Sequence, residues 1–358
     1  MKDFLNQRVK DLKPSGIRKF FDIVSEMKGA ISLGVGEPDF ITPWHIRNAA
    51  IRSVQRGYTQ YTGNRGIPKL RDLISRYLFE RFSVSYPADN VIVTVGASEG
   101  IDLVLRAICE VGDDILVPEP SYVSYFPCVH LSGANAVPVK CVRENGFIVT
   151  PEMLESSITP RTKAIILPYP NNPTGAVLER ADLESIAAYL KETNILCLTD
   201  EIYSELTYEG THVSIASFPG MKDRTIFLHG FSKAFAMTGW RLGYVCAPSL
   251  MQHMLAQCAD VRPDITSYAK NRDTLYDALS GMGFDCVKPD GAFYLFIKAP
   301  KGDSAGEFCE KAKKFEILLV PSDSFGVAGY ARLAYCVSEK TAENSLPAFK
   351  KLAEEYGL

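Results

Sequence analysis

A lysine and an arginine stand eight residues apart in the run from Gly230 through Ser232 and Lys233 to Arg241, Leu242 and Gly243. A lysine on a turn bounded by glycine and serine can condense with an aldehyde, and a fixed guanidinium fork can take a phosphate through two parallel N–H donors. One small molecule carrying both groups would satisfy the pair. Each residue alone reads equally well as an exposed loop lysine or a structural arginine, so the weight falls on what else the chain places beside them.

Several other polar clusters follow short apolar runs. Asp200 comes directly after Ile195 to Thr199, which sets a carboxylate at the edge of a buried strand where it needs a partner; a helix N-cap is the alternative. Gly96, Ala97 and Ser98 begin a helix whose free N–H groups and dipole suit a phosphate, although small residues also cap ordinary helices. The segment Pro170 to Gly175 could be a bare turn, or a loop placed at the end of a buried strand. Arg332 shares a strand face with small Ala334 and Cys336, and an arginine there needs an anion.

The elements that must position these groups alternate along the chain. Pro43 opens a helix to about Gln55, the spacing from Ile67 to Leu78 gives another, and further helices span Ala97 to Cys109 and Ala181 to Lys191. Between them lie apolar runs at Asn90 to Val95, Asp114 to Val117, Lys163 to Leu167, Ile195 to Thr199 and Thr225 to His229. Strands buried on both faces with helical crossovers imply a parallel α/β sheet, and ligands gather outside its carboxyl edge. Beyond Pro248 the pattern changes to long helices with strands near Ala292 to Ile297 and Tyr330 to Val337, a smaller α+β lobe that the segment before Thr42 joins.

Composition narrows the class. At 358 residues, 46% hydrophobic and a net charge of −3, the chain reads as a soluble globular protein of two lobes. Its interspersed charges give no nucleic-acid footprint, and no apolar run reaches membrane-spanning length. The charged start from Met1 to Lys13 lacks a signal-peptide core, so the cytoplasm is expected. Nine scattered cysteines read as free thiols in a reducing compartment, and five histidines without ligand spacing predict no metal site.

Together these motifs resemble the class I/II aminotransferases of pyridoxal 5'-phosphate (PLP) fold type I, and the resemblance covers essentially the whole chain. It implies an α/β fold with a large PLP-binding domain over residues 42–248, built on a mostly parallel seven-stranded sheet sandwiched by helices. A smaller α+β domain would comprise residues 1–41 and 249–358. By resemblance, Lys233 carries the cofactor and serves as general acid and base, and Asp200 pairs with the pyridine nitrogen 33 residues earlier in the chain. Tyr203 and Asn172 would bond the ring hydroxyl, and Tyr122 would stack on the ring. Gly96, Ala97, Ser98, Ser232 and Arg241 would hold the phosphate. Tyr61 resembles a tyrosine that reaches the neighbouring subunit's cofactor, which implies a homodimer with shared sites. Arg332, Gly36 and Asn172 would receive the substrate carboxylate, and Ser15 to Arg18 would line the pocket.

The implied reaction is ping-pong transamination from an L-amino acid to a 2-oxo acid, with 2-oxoglutarate as the expected acceptor. Bacterial aspartate aminotransferases of the related subgroup often carry lysine where this chain has Ser98. The run Asp200 to Leu206 looks closer to enzymes acting on aromatic amino acids, N-acetyl-diaminopimelate and aspartate. A PLP-dependent C–S β-lyase is one alternative. A non-catalytic relative is another, although no appended DNA-binding domain fits before Leu33 or after Arg332. One departure stands out: between helices ending near Cys258 and beginning near Val261 the chain is shorter than the family by about a helix and its loop. Either this is a true deletion or residues are missing from the sequence. The lack of turn chemistry at Ala259-Asp260 favours the second.

Overall fold

The computed structural model describes residues 7–12, 31–244 and 265–358. Ser15 to Arg18, the expected boundary at 248 and the seam at Ala259-Asp260 lie outside the described residues. Five parallel strands form the main sheet: β2 (Asp114–Glu119), β3 (Asn135–Lys140), β4 (Thr162–Leu167), β5 (Leu196–Asp200) and β6 (Thr225–Leu228), in the order β3-β2-β4-β5-β6. Beyond β6 the sheet continues through single antiparallel bridges, Gly230 to Gly243 and Gly243 to Thr94. The described sheet is thus parallel over five strands and extended at this edge by two antiparallel bridges. The apolar run at Asn90 to Val95 opens as a 3-10 turn over Ala88–Asn90 and joins the sheet only at Thr94.

Period-two alternation sorts each buried strand between two helical layers. Leu116, Ile165 and Cys197 pack with Leu183, Ile186 and Leu190 of the helix Arg180–Lys191. Their neighbours Ile115, Val117, Ala164, Ile166 and Leu198 face the other way, against Ile101 and Leu105 of helix Ala97–Ile108 and Val129 of helix Tyr125–Ser132. Helices on both faces leave no solvated side, which is why these strands read as continuous apolar runs.

Most of the described chain beyond residue 265 builds a separate core. Strands β7 (Cys286–Val287), β8 (Tyr294–Lys298), β10 (Val320–Pro321) and β11 (Tyr330–Ala334) form an antiparallel sheet in the order β10-β11-β8-β7. Leu275 and Leu279 of helix Thr266–Gly281 and Phe349 and Leu352 of helix Glu339–Tyr356 pack in the same core. Strand β1 (Ile31–Ser32) pairs in parallel with β9 (Ile317–Leu318), and Leu33 enters this core. No described helix is long and apolar enough to cross a membrane.

One close approach ties sheet to site. A Cβ on Gly243 would stand 2.5 Å from the carbonyl carbon of Gly96 and 2.6 Å from the nitrogen of Ala97, so only glycine lets the strand edge run against the helix start. Gly243→Ala is therefore expected to displace the first turn of helix Ala97–Ile108 and to cost about 1–3 kcal/mol. Thermal unfolding measures this, and an unchanged midpoint would contradict the close approach.

Candidate active site

The carboxyl ends of the parallel strands converge on one cavity of about 250 Å³. Asp200 ends β5, the loop after β4 brings Asn172, the segment after β2 brings Tyr122, and β6 leads into Ser232 and Lys233. Ala97, Ser98, Tyr203, Arg241, Gly36 and Arg332 complete the walls expected from the sequence. Gly96 sits immediately behind, as the N-cap of helix Ala97–Ile108 with φ 83°. Tyr61 does not line this cavity and is fully exposed.

Lys233 donates from Nζ to the Gly36 carbonyl at 2.7 Å and lies near the rings of Phe293 and Tyr203, at 5.5 and 5.8 Å. Desolvation lowers its pKa to about 8, and the positive charges of Arg332 and Arg241 push the same way against the opposing influence of Cys336. More of the amine is thus available in the neutral form that a nucleophile or general base requires than in an exposed lysine. Asp200 is 5% exposed, and burial raises its pKa to about 6. Hydrogen bonds from the Tyr125 hydroxyl (2.8 Å) and the Ile202 N–H (3.2 Å) hold it from rising further.

At the opposite wall Arg332 is 2% exposed and forms no ion pair among the described residues. Its Nη1 donates to Asn172 Oδ1 (2.9 Å) and its Nη2 to the Gly34 carbonyl (2.8 Å), while Nε has no partner. A buried guanidinium bonded only to neutral oxygens suits an anion, and a carboxylate fits its fork. Arg241 takes a left-handed backbone conformation (φ 49°, ψ 52°) and donates to the Thr238 carbonyl. A Cβ on Gly96 would stand 2.6 Å from Arg241 Nη2, so glycine there clears the guanidinium beside the uncapped helix N-terminus. Helix geometry leaves the first N–H groups without intrahelical partners, and with Arg241 they make a cradle for a phosphate. This group of residues fits a phosphorylated aldehyde with a basic ring nitrogen: an anion cradle, a lysine amine of lowered pKa and a buried carboxylate seeking a cation.

Sequence reasoning missed Tyr125, Tyr294, Thr238, Ile202 and Val35, which also line the cavity. Tyr125 carried one usable signal, since it lies three residues after Tyr122 and so one turn further along the same segment. Tyr294 carried none, because its place depends on pairing between β8 and β11.

The elevated pKa of Asp200 has a measurable sign. Folding favours its protonated form, a contribution fully present below about pH 4 and lost as pH rises through about 6. Above that range the apo-protein retains a buried carboxylate with no ion-pair partner among the described residues. Asp200→Asn is expected to raise the apo-protein's thermal midpoint at pH 8, by the equivalent of at most about 3 kcal/mol, with little gain at pH 4.5. Equal shifts at both pH values would contradict the assignment.

Comparison with known proteins agrees with this geometry. The sequence profile described as "Aminotransferase class I and II" matches residues 28–267 and 260–349. The chain is 43% identical over 381 residues to a "Putative aminotransferase YugH" of Bacillus subtilis, covering 98% of each chain. It is 38% identical to a "Probable N-acetyl-LL-diaminopimelate aminotransferase" of the same organism, covering 97% of this chain and 95% of the other. The structure of Thermus thermophilus aspartate aminotransferase with maleate superposes with a TM-score of 0.88 at 32% identity, covering 98% and 100% of the two chains. The first alignment is longer than this 358-residue chain, so that relative carries residues the sequence lacks. The family match restarts at residue 260, where the seam was expected. Matched along nearly its whole length, and with a cavity whose charges suit that chemistry, the chain belongs to the class I and II aminotransferases, enzymes of fold type I that move amino groups with pyridoxal 5'-phosphate.

Proposed function

We propose that this aminotransferase takes the amino group from a range of L-amino acids, aromatic amino acids and aspartate among them, and passes it to 2-oxoglutarate in two half-reactions at one site. The observation that carries this reading is the placement of the Lys233 amine in one cavity with Asp200 and Arg332. When bound, PLP supplies an aldehyde that accepts the amino group and a cationic ring that draws electrons from the substrate Cα. Asp200 keeps the ring nitrogen protonated, and Ser98, Ser232 and Arg241 hold the phosphate with the backbone of Gly96 and Ala97. Tyr203 and Asn172 hydrogen-bond the ring hydroxyl, and Tyr122 stacks on the ring. Arg332 and Asn172 orient the substrate carboxylate beside Gly36. With PLP bound, the Lys233 amine would take the substrate's Cα proton and hand it on to the cofactor's former aldehyde carbon, so the same residue would serve as base and acid.

Breadth of substrate rests on the charges of the cavity. Among the described residues its cationic walls are Lys233, Arg241 and Arg332, and each has a place in the reading above. No further described cation lines it to fix a distal carboxylate, and Ser98 is neutral. Tyr122 and Val35 offer apolar surface to a neutral or aromatic side chain. The relatives named for N-acetyl-LL-diaminopimelate and for aspartate span a similar breadth. In the same reading residues 42–248 form the PLP-binding unit and the rest a smaller one. Tyr61, together with exposed Phe40, Ile41 and Trp44, then belongs to a homodimer interface that shares the two sites.

Two measurements test this. Purified holoenzyme titrated with phenylalanine or aspartate is expected to lose its cofactor absorption band and regain it with 2-oxoglutarate, and Lys233→Ala to slow both steps by at least about 10⁴-fold. A variant that keeps the exchange would remove Lys233 from the chemistry. Light scattering is expected to give twice the mass of one chain, and Tyr61→Ala to weaken PLP retention. A monomer with full activity would end the shared-site reading.

A further inference from the structure

Tyr294 opens β8 and has no catalytic assignment in the reading above, yet it touches both halves of the cavity. The register of β8 and β11 pairs Ala334 with Tyr294 and Arg332 with Phe296, which sets Arg332 diagonally across from Tyr294, within reach of a long side chain. The guanidinium carbon of Arg332 lies 4.3 Å from the Tyr294 ring centroid, so the ring supports the cation without consuming any of its N–H donors. At the far end of the ring, the hydroxyl oxygen lies 3.1 Å from that of Tyr203. The same hydroxyl fills the space a side chain on residue 36 would take, since a Cβ there would stand 1.9 Å from it. Tyr294 is 2% exposed and wedged edge-on against Phe293 and Tyr203, at 5.0 and 5.9 Å.

We propose that Tyr294 is a positioning residue that joins the substrate-carboxylate arm to the cofactor's phenol contact: its ring carries Arg332, and its hydroxyl orients the O–H of Tyr203. The proposal rests on the reading of Arg332 and Tyr203 given above. The two functions reside in different parts of one side chain and can be separated by substitution. Tyr203, Tyr122, Cys336 and Arg332 surround Tyr294, and Lys233, Asp200 and Arg241 line the same cavity. Burial pushes Tyr294 up to about 12, against the lowering effect of Arg332, and holds Tyr203 well above the usual phenol value. Both phenols therefore stay protonated near neutrality. A shift in the pH titration of the bound cofactor then reports the Tyr203 hydrogen bond and not ionisation of either ring.

The test compares holoenzymes of Tyr294→Phe, Tyr294→Leu and Arg332→Ala by two readouts. One is the Kd of hydrocinnamate, a carboxylate with no amine to react, measured by calorimetry; the other is the midpoint of the cofactor's absorption titration. Tyr294→Phe keeps the ring, so hydrocinnamate affinity is expected to stay within about twofold while the midpoint rises by about half a pH unit as Tyr203 loses its partner. Tyr294→Leu removes both contacts and is expected to weaken hydrocinnamate by about tenfold as well. Unchanged affinity in Tyr294→Leu overturns the ring's part, and an unchanged midpoint in Tyr294→Phe overturns the hydroxyl's part. Arg332→Ala tests the underlying reading separately. Wild-type affinity there overturns the carboxylate role of Arg332 itself, and with it the ring's part.

Discussion

The carbonyl oxygens of the segment following β1 fix the position of two cations of the cavity, Arg332 and Lys233. Leu33 accepts from the Ala334 N–H at 2.6 Å, which docks the segment beside β11. Gly34 accepts from Arg332 and Gly36 from Lys233, at 2.8 and 2.7 Å. One short extended stretch thus registers an arginine from the antiparallel sheet and a lysine from the loop after β6 against a common backbone. These residues are 99 positions apart in sequence, and hydrogen bonds to carbonyls two residues apart set their separation more rigidly than side-chain packing alone. Glycine at 36 is part of this arrangement, because Tyr294 leaves no room for a side chain there.

Around that backbone the cavity concentrates charge in a poorly solvated space. Burial pushes Asp200 up and Lys233 down, each toward its neutral form. Opposite displacement of an acid and a base by a shared cause is expected where a site has water excluded and its polar groups aimed at a ligand. The surrounding hydrogen bonds limit how far this goes. Tyr125 and the Ile202 N–H keep Asp200 able to ionise, and the Gly36 carbonyl gives Lys233 an acceptor.

Much of this was legible in the chain itself. Strands such as Thr162–Leu167 announced themselves because burial on both faces forces an unbroken apolar run, and the polar groups at their ends followed from the rule for parallel sheets. Asp200 and Arg332 stood out as charges where burial demands a partner, and Lys233 by its Gly/Ser-bounded turn and its spacing from Arg241. The segment from Asn90 read as a strand yet meets the sheet only at Thr94, because the pairing is set by its close crossing with Gly243, a contact no local pattern encodes. Tyr125 and Tyr294 are ordinary aromatic residues in apolar surroundings. Their partners Asp200 and Tyr203 lie 75 and 91 residues away, so only tertiary structure reveals them.

The unpaired Asp200 carboxylate and the desolvated Lys233 ammonium also bear on the life of the polypeptide before it is loaded. In the proposed reading, a cofactor that brings a cation to one and a covalent partner to the other would bind the folded chain and not the unfolded one, so its supply would add directly to folding free energy. Newly made chains that find none sit closer to their unfolding threshold and pass more often through states that proteases recognise. On that reading, the abundance of the protein in a cell would follow its vitamin supply.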